Sequence, residues 1–408
     1  MHTADKVSEC HPVKIAWLHS HFLQWSGGTK FIYEVAKRIH PNIPVTVFVE
    51  QSCAKLRHLF REAGIEVKNI NTQSSTNPLY WAFFPFFFRK NVKAISKIKG
   101  HFSCFISSMF PMNFAIAQAG ISRHLAYILE PFAFFHDPDM ISGHPFYSRF
   151  LLRLLAVLYG PWDIRGIRQA AQVMTINHGT GWEVKRIYGR NSHYSFLGVD
   201  TQLFTPQKGN PFFEKLRHRY AGRKLIIHST DLTPLKKTWD AVKIVEAIKD
   251  EMPEVKLLIT QSFINRIETA RLRKHIKEKH LKNHVELVGF VDHHELPAYY
   301  SVADVALYTG IGSGTSAASL FVLECMACGT PAVRTDFTKE EVEHNISGFL
   351  YKAGDEMALK KYLLAILRDD RLREKFSPAA RQRVIEIYNW DAVAQRFLKV
   401  IRELIARG

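Results

Sequence analysis

The feature that most constrains this chain is an alternation of short apolar runs with amphipathic stretches, and the alternation starts twice. In the first pass Val13–Leu18 reads as a buried strand and His19–Gly28 as a loop ending in Gly27-Gly28. Phe31, Val35, Ala36 and Ile39 then fall at helical spacing. Val45–Val49 predicts a second strand and Lys55–Ala63 a helix closed by Gly64. Phe102–Ser107, Leu125–Leu129 and Ala170–Ile176 are further runs of strand length, the last followed by a helix through Tyr188. The pattern restarts after Asp200–Pro206. Strands are predicted at Lys224–His228, Val255–Thr260, Val285–Leu287, Val305–Tyr308, Ala332–Arg334 and Gly348–Tyr351. Between them fall helices at Thr238–Ile248, Ile264–Lys279, Leu320–Met326 and Met357–Leu367. Strand and helix in strict alternation mean parallel, doubly wound sheets of the α/β class. A chain of 408 residues exceeds what one core usually organises. Two Rossmann-like domains facing across a cleft are therefore expected, 1–196 and 197–385. Residues 386–408 form a closing segment in which Asp391–Ala406 is an amphipathic helix, with Val393, Phe397, Val400, Ile401 and Leu404 on one face.

Composition narrows the partners. The formal net charge is +17, yet Lys and Arg are scattered without a run of five or six, so no nucleic-acid groove is expected. The five cysteines are an odd, scattered set, which argues against a disulfide framework and for a reducing compartment. Cys325 and Cys328 form a lone CxxC with no second pair to complete a zinc site, and read as small residues on a packed helix. Residues 1–14 are polar without a signal-peptide core, and no stretch reaches the roughly 18 apolar residues of a spanning helix. A cytoplasmic protein, or one peripheral to the inner face of a membrane, is expected.

Ligands of doubly wound sheets bind beyond the carboxyl ends of the strands, so the loops there are the place to look for chemistry. Thr309–Ser319 reads TGIGSGTSAAS between a strand and a helix. Gly310, Gly312 and Gly314 let the backbone approach a ligand, and the helix start offers unpaired N–H groups to an anion. The spacing is GxGxG, not the dinucleotide GxGxxG. Glu324, inside the following helix, has a carboxylate suited to a ribose diol. Thr230–Thr238 reads TDLTPLKKT, where Lys236 or Lys237 can neutralise a phosphate.

Longer segments resemble the retaining GT-B glycosyltransferases of family 4, the group 1 glycosyltransferases. FVLECMACGTPAVRTD (Phe321–Asp336) followed by EEVEHNISGFLYKAGD (Glu340–Asp355) resembles that family's donor-binding segment. SFLGVDTQLFTP (Ser195–Pro206), VELVGFVDHHELPAYYSVADVALY (Val285–Tyr308) and the loop ending in Gly27-Gly28 also match it. The resemblance implies the GT-B fold, with a final helix crossing back to the first domain. It implies transfer of a sugar from a nucleotide-diphosphate sugar with retention, without a bound metal or other cofactor, in polysaccharide or glycolipid biosynthesis. It assigns Glu324 to the donor ribose, Lys236 to the leaving diphosphate, with Lys237 beside it, and Gly28 to the approach of donor and acceptor. Backbone contacts to sugar and phosphate fall on Ala317, Ala318, Ser319 and Leu320, with Gly312 and Gly314 in the same loop.

Three positions depart from the family pattern. Ser316 stands eight residues before Glu324, where a first catalytic glutamate is usual; Asp231 stands five before Lys236, where an arginine is usual; and Leu129 stands where many members have a histidine. Asp231 would repel a diphosphate unless it points away or pairs with Lys236 or Lys237. Two functions therefore stay open: an active glycosyltransferase acting on a glycan or lipid-linked acceptor, and a catalytically silent protein of the same fold that binds nucleotide or glycan or scaffolds a partner. The D-x-D at Asp137-Pro138-Asp139 and the pair His293-His294 are read as loop residues. The run LYWAFFPFFF (Leu79–Phe88), with Arg89, Lys90, Lys93, Lys97 and Lys99 after it, suits either a buried core or contact with an anionic membrane.

Overall fold

A computed structural model describes residues 12–137, 141, 146–262, 264–311, 319–337 and 339–407. Two parallel sheets organise it. The first contains β1 (Ile15–Phe22), β2 (Val45–Ser52), β3 (Glu66–Asn69), β4 (Cys104–Ser107), β5 (His124–Ile128), β6 (Gln172–Thr175) and β7 (His193–Tyr194), in the spatial order β3-β2-β1-β4-β5-β6-β7. The second contains β8 (Lys224–Thr230), β9 (Val255–Gln261), β10 (Val285–Gly289), β11 (Val305–Tyr308), β12 (Ala332–Thr335) and β13 (Gly348–Tyr351), in the order β10-β9-β8-β11-β12-β13. Counted from its own first strand, the second sheet has the 3-2-1-4-5-6 order of nucleotide-binding α/β domains. The central strands of both sheets are buried along nearly their whole length, as parallel strands covered by helices on both faces must be.

Contacts divide the chain into two units. One comprises Met1–Thr175, Val184–Ser195 and Ala394–Gly408, the other Ile176–Glu183 and Phe196–Val393. The helix Trp390–Ala406 thus begins in the second unit and ends in the first, where Phe397 stacks on Trp17 at 5.5 Å and meets the Tyr127 ring edge-on at 5.0 Å. Its apolar face at Phe397, Val400, Ile401 and Leu404 is buried.

Several boundaries differ from those expected. β1 runs on to Phe22 because His19, His21 and Phe22 pair in register with Val49, Gln51 and Ser52 of β2. The first four residues of the expected glycine loop, His19–Phe22, are therefore strand. Gly27 and Gly28 open the helix Gly27–Ile39, whose cap is Ser26, with its Oγ accepting from the Thr29 N–H at 3.2 Å. β3, which the sequence reading leaves out, is a mostly exposed polar edge strand without an apolar run. The aromatic run Leu79–Phe88 is helical, spread over Pro78–Ala82 and Phe84–Ile98. Tyr80, Phe84 and Phe88 are core residues, and Leu79, Phe83 and Phe86 are exposed. Cys325 and Cys328 are buried in the second core, where burial pushes the Cys328 thiol up to about 12. Of the D-x-D, Pro138 and Asp139 lie outside the described residues.

Candidate functional site

In the second sheet the connections from β8 and β11 leave in opposite directions, which opens a crevice beyond Thr230 and Tyr308. The loop after β8 is tightly built. Leu232 has φ 60° and Lys237 φ 49°, both left-handed, and between them Pro234–Lys236 makes one turn of 3-10 helix before the helix Thr238–Ile248. Non-glycine residues rarely hold such angles, so the surroundings must fix them. Thr309, just past β11, does this: its hydroxyl donates to the carbonyls of Lys236 at 3.0 Å and Lys237 at 2.8 Å. The Ile311 N–H adds a bond to the Leu235 carbonyl at 2.8 Å, and the Thr335 hydroxyl, at the end of β12, bonds the Gly310 carbonyl at 2.6 Å. Gly310 is required there, since a Cβ would come within 2.5 Å of the Tyr308 ring.

This loop presents Lys236 half-buried and leaves Lys237 exposed, at the rim of a cavity of about 260 Å³ shared with Asp240, Thr309, Thr335 and Gly354. The Lys236 ammonium sits 5.5 Å from the centre of the Tyr308 ring, and the Arg334 guanidinium of β12 lies 5.1 Å from the same ring. Burial lowers the Lys236 pKa, Asp231 opposes that and Arg334 adds to it. Asp231 accepts bonds from the Thr233 N–H at 2.9 Å and hydroxyl at 2.7 Å, so its carboxylate shapes the turn while its charge still acts on Lys236. Arg334 is fully buried, its pKa brought down to about 10 by burial. It ion-pairs with the buried Glu341.

Glu341 reaches on to the expected phosphate-binding helix. Ser319 caps Leu320–Ala327 through its own hydroxyl, and its N–H donates to Glu341 Oε1 at 3.0 Å. The Ser319 amide, expected to face donor sugar and phosphate, is thus occupied by a protein carboxylate, because a buried anion needs donors and the helix start supplies one. Leu320 opens the helix and is partly exposed. Glu324 is half-buried while its neighbours Leu323, Cys325 and Met326 are fully buried, so this carboxylate lies on the one accessible face of the helix. Its charge also reaches Tyr300. Gly312, Gly314, Ser316, Ala317 and Ala318 lie outside the described residues.

Gly28 belongs to the first unit. It lines a cavity of about 300 Å³ together with Ser26, His19, Tyr127, Leu129 and Asp163. His19 is buried, and burial, then His21, holds its pKa down at about 3, so the ring stays neutral at ordinary pH and shares a 3.1 Å hydrogen bond with the Ser108 hydroxyl. The Asp163 carboxylate is held by Asn113 at 2.7 Å and by the Tyr188 hydroxyl at 2.8 Å, with His136 Nε2 also at 2.8 Å.

The sequence reading of this site missed Tyr308, Arg334 and Glu341. Arg334 carries a signal in hindsight, being an arginine within a run predicted as a buried strand. Nothing in the spacing of Glu341 connects it to Ser319, 22 residues before it in the chain.

Residues 212–383 match the family "Glycosyl transferases group 1". A stretch of 130 residues is 32% identical to phosphatidyl-myo-inositol mannosyltransferase of Mycobacterium leprae, covering 31% of this chain and 34% of that protein. A stretch of 249 residues is 21% identical to N-acetyl-alpha-D-glucosaminyl L-malate synthase of Bacillus anthracis, covering 59% of this chain and 61% of that protein. The matches therefore span between a third and three fifths of these relatives. In structure, 96% of the chain superposes on the whole of Anabaena HepE, crystallised in complex with UDP, with a TM-score of 0.73 at 16% identity. That likeness concerns the fold.

Proposed function

We propose that this chain, whose residues 212–383 match the group 1 glycosyltransferases, transfers a sugar from a nucleotide-diphosphate sugar to a glycan or lipid-linked acceptor with retention of configuration. The observation that carries the reading is the placing of Lys236 and Arg334 about one Tyr308 ring, at the switch point of a sheet with nucleotide-binding strand order. Breaking a sugar–phosphate bond puts negative charge on the diphosphate, and stabilising that charge is the main demand on the protein. In this reading Lys236 contacts the leaving diphosphate, Arg334 raises the local positive potential from beneath, and Lys237 guards the rim. Glu324 holds the ribose hydroxyls. Ser316, with Gly312, Gly314, Ala317, Ala318 and Leu320, lines the sugar and phosphates. Gly28 allows close approach at the acceptor side.

Arg334, fully buried and paired with Glu341, does not take the place of the arginine usual at position 231, so in this reading Lys236 is the cation on which activity rests. We infer that no metal takes part, since the fixed cations Lys236 and Lys237 supply the charge. A lipid-linked acceptor is supported by the mycobacterial relative, which is named for phosphatidyl-myo-inositol. The setting we propose is the cytoplasm, at the inner face of a membrane.

The test is a melting-temperature panel with UDP, GDP, ADP and their sugar conjugates, alongside Glu324→Ala. A ligand at about 100 times its dissociation constant stabilises by roughly 2.7 kcal/mol. One nucleotide should raise the melting point of the wild type and leave the variant unmoved. Turnover of its sugar conjugate, unchanged by EDTA and giving a product of unchanged anomeric configuration, completes the reading. Silence across the whole panel at millimolar ligand would leave the scaffold reading standing.

A further inference from the structure

The helix Phe146–Gln169 carries more apolar surface than its own unit covers. On one side it is core: Leu155 and Ile167 are buried, Tyr159 and Trp162 pack on Phe84, and Trp162 also packs on Phe88. On the other side Phe146, Phe150, Leu151, Leu154, Val157 and Leu158 are between 43% and 86% exposed. Residues 146, 150, 154 and 157 follow the four- and three-residue steps of one helix face, and 151 and 158 run beside them two turns apart. Scattered exposed leucines need no explanation, but six large apolar side chains in one stripe do.

The exposed charges on the helix itself have one sign. The only carboxylate of this helix, Asp163, is buried and fully engaged by Asn113, His136 and Tyr188. Its exposed charged residues include Arg153 and Arg165. Among the elements that touch it, Pro78–Ala82 and Phe84–Ile98 contain no Asp or Glu and expose Arg89, Lys93 and Lys97 as well as Leu79, Phe83 and Phe86, Met112–Gln118 is uncharged, and Ala133–His136 is flanked by the exposed Glu130 and Asp137. Among the described residues no helix is long and apolar enough to cross a membrane.

We propose that the helix Phe146–Gln169 is an interfacial element that seats the protein on an anionic lipid bilayer. Phe150, Leu154 and Val157 enter the boundary between headgroups and acyl chains, and Arg153 and Arg165 meet the headgroup phosphates. A second copy of the chain fits the same face less well, because a two-fold contact would set these arginines against each other with no exposed carboxylate on the helix itself to pair them. The aromatic run Leu79–Phe88 contributes only its outward residues, since Tyr80, Phe84 and Phe88 are core. The proposal rests on the membrane setting proposed above and gives it a surface; because it is read without nucleotide, its failure is distinguishable from failure of the donor chemistry.

The experiment is co-sedimentation of the full chain with vesicles of phosphatidylglycerol and phosphatidylcholine, and with vesicles of phosphatidylcholine alone. Binding is expected to the anionic vesicles only, weakening as salt is raised. Arg153→Glu should cut the partition coefficient about fivefold or more. Phe150→Ser combined with Val157→Ser should cut it about tenfold or more. Both variants should keep the wild-type melting temperature, their side chains being exposed. Wild-type protein that stays in the supernatant, or variants that sediment as well as wild type, would overturn the proposal. So would a concentration-dependent dimer that Phe150→Ser dissolves, which would assign the stripe to a second copy.

Discussion

Gly28 and Leu129, both lining the first unit's cavity, stand against each other: a Cβ on Gly28 would lie 3.3 Å from Leu129 Cδ1. The helix that Gly28 opens and the loop after β5 have closed onto each other as far as a missing side chain allows. Gly28→Ala should therefore cost about 1 kcal/mol by overpacking. The double variant Gly28→Ala with Leu129→Ala should recover part of that loss. Urea melts of the two single variants and the double variant measure the coupling.

Lys236 holds its loop through its carbonyl, which Thr309 takes, and leaves its ammonium for the Tyr308 ring and the crevice. Lys236→Met should leave the melting temperature nearly unchanged and reduce kcat by about 100–1,000-fold, the usual loss for one charge-stabilising group. Steady-state kinetics with the nucleotide sugar identified by the melting panel check this. A change in KM alone would assign the lysine to ground-state binding.

Arg334 and Glu341 are a buried pair, and removing one partner leaves the other charge stranded. Arg334→Met should cost about 3–5 kcal/mol. Arg334→Met with Glu341→Gln should cost less than the single variant, because glutamine still accepts from the Ser319 N–H and carries no charge. Denaturant unfolding of both proteins gives the comparison.

Glu50 supplies a pH signature. It is buried beneath Tyr80 and Asn91, both of which donate to its Oε1, and burial raises its pKa to about 7. Between the unfolded value, about 4.5, and the folded value the native state holds a proton that the unfolded chain has released. Stability therefore falls as pH rises through this window, by about 1.4 kcal/mol per pH unit, and levels off above it. Glu50→Gln should remove this slope and make the protein more stable than wild type at pH 8, as chemical denaturation across pH would record.

Much of this could be read in the chain itself. The buried strands β1, β2, β5, β8, β9 and β11 announce themselves by continuous apolar runs, which a parallel sheet covered on both faces requires. β3 escapes because its outward polar residues give no run. The end of β1 is misjudged because His19, Ser20 and His21 look like loop, whereas pairing with β2 holds them in the strand. At the site, Lys236 and Glu324 follow from local motif and resemblance. Arg334 and Glu341 act through tertiary contacts, with β12 bringing one beneath the Tyr308 ring and a later loop bringing the other to Ser319. No local spacing encodes such a meeting.

The return of the last helix to the first unit bears on how the protein is made. Trp17, Phe31 and Tyr127 all wait for Phe397 to complete their ring cluster. On the ribosome the unit begun first is therefore the one finished last, and its core stays open while the second unit emerges and folds. Loss of residues 394–404 to a premature stop would spare the later-made sheet and expose the earlier one. In a nascent chain the apolar surface at Trp17, Phe31 and Tyr127 therefore stays uncovered by Phe397 over the whole time needed to synthesise the second unit.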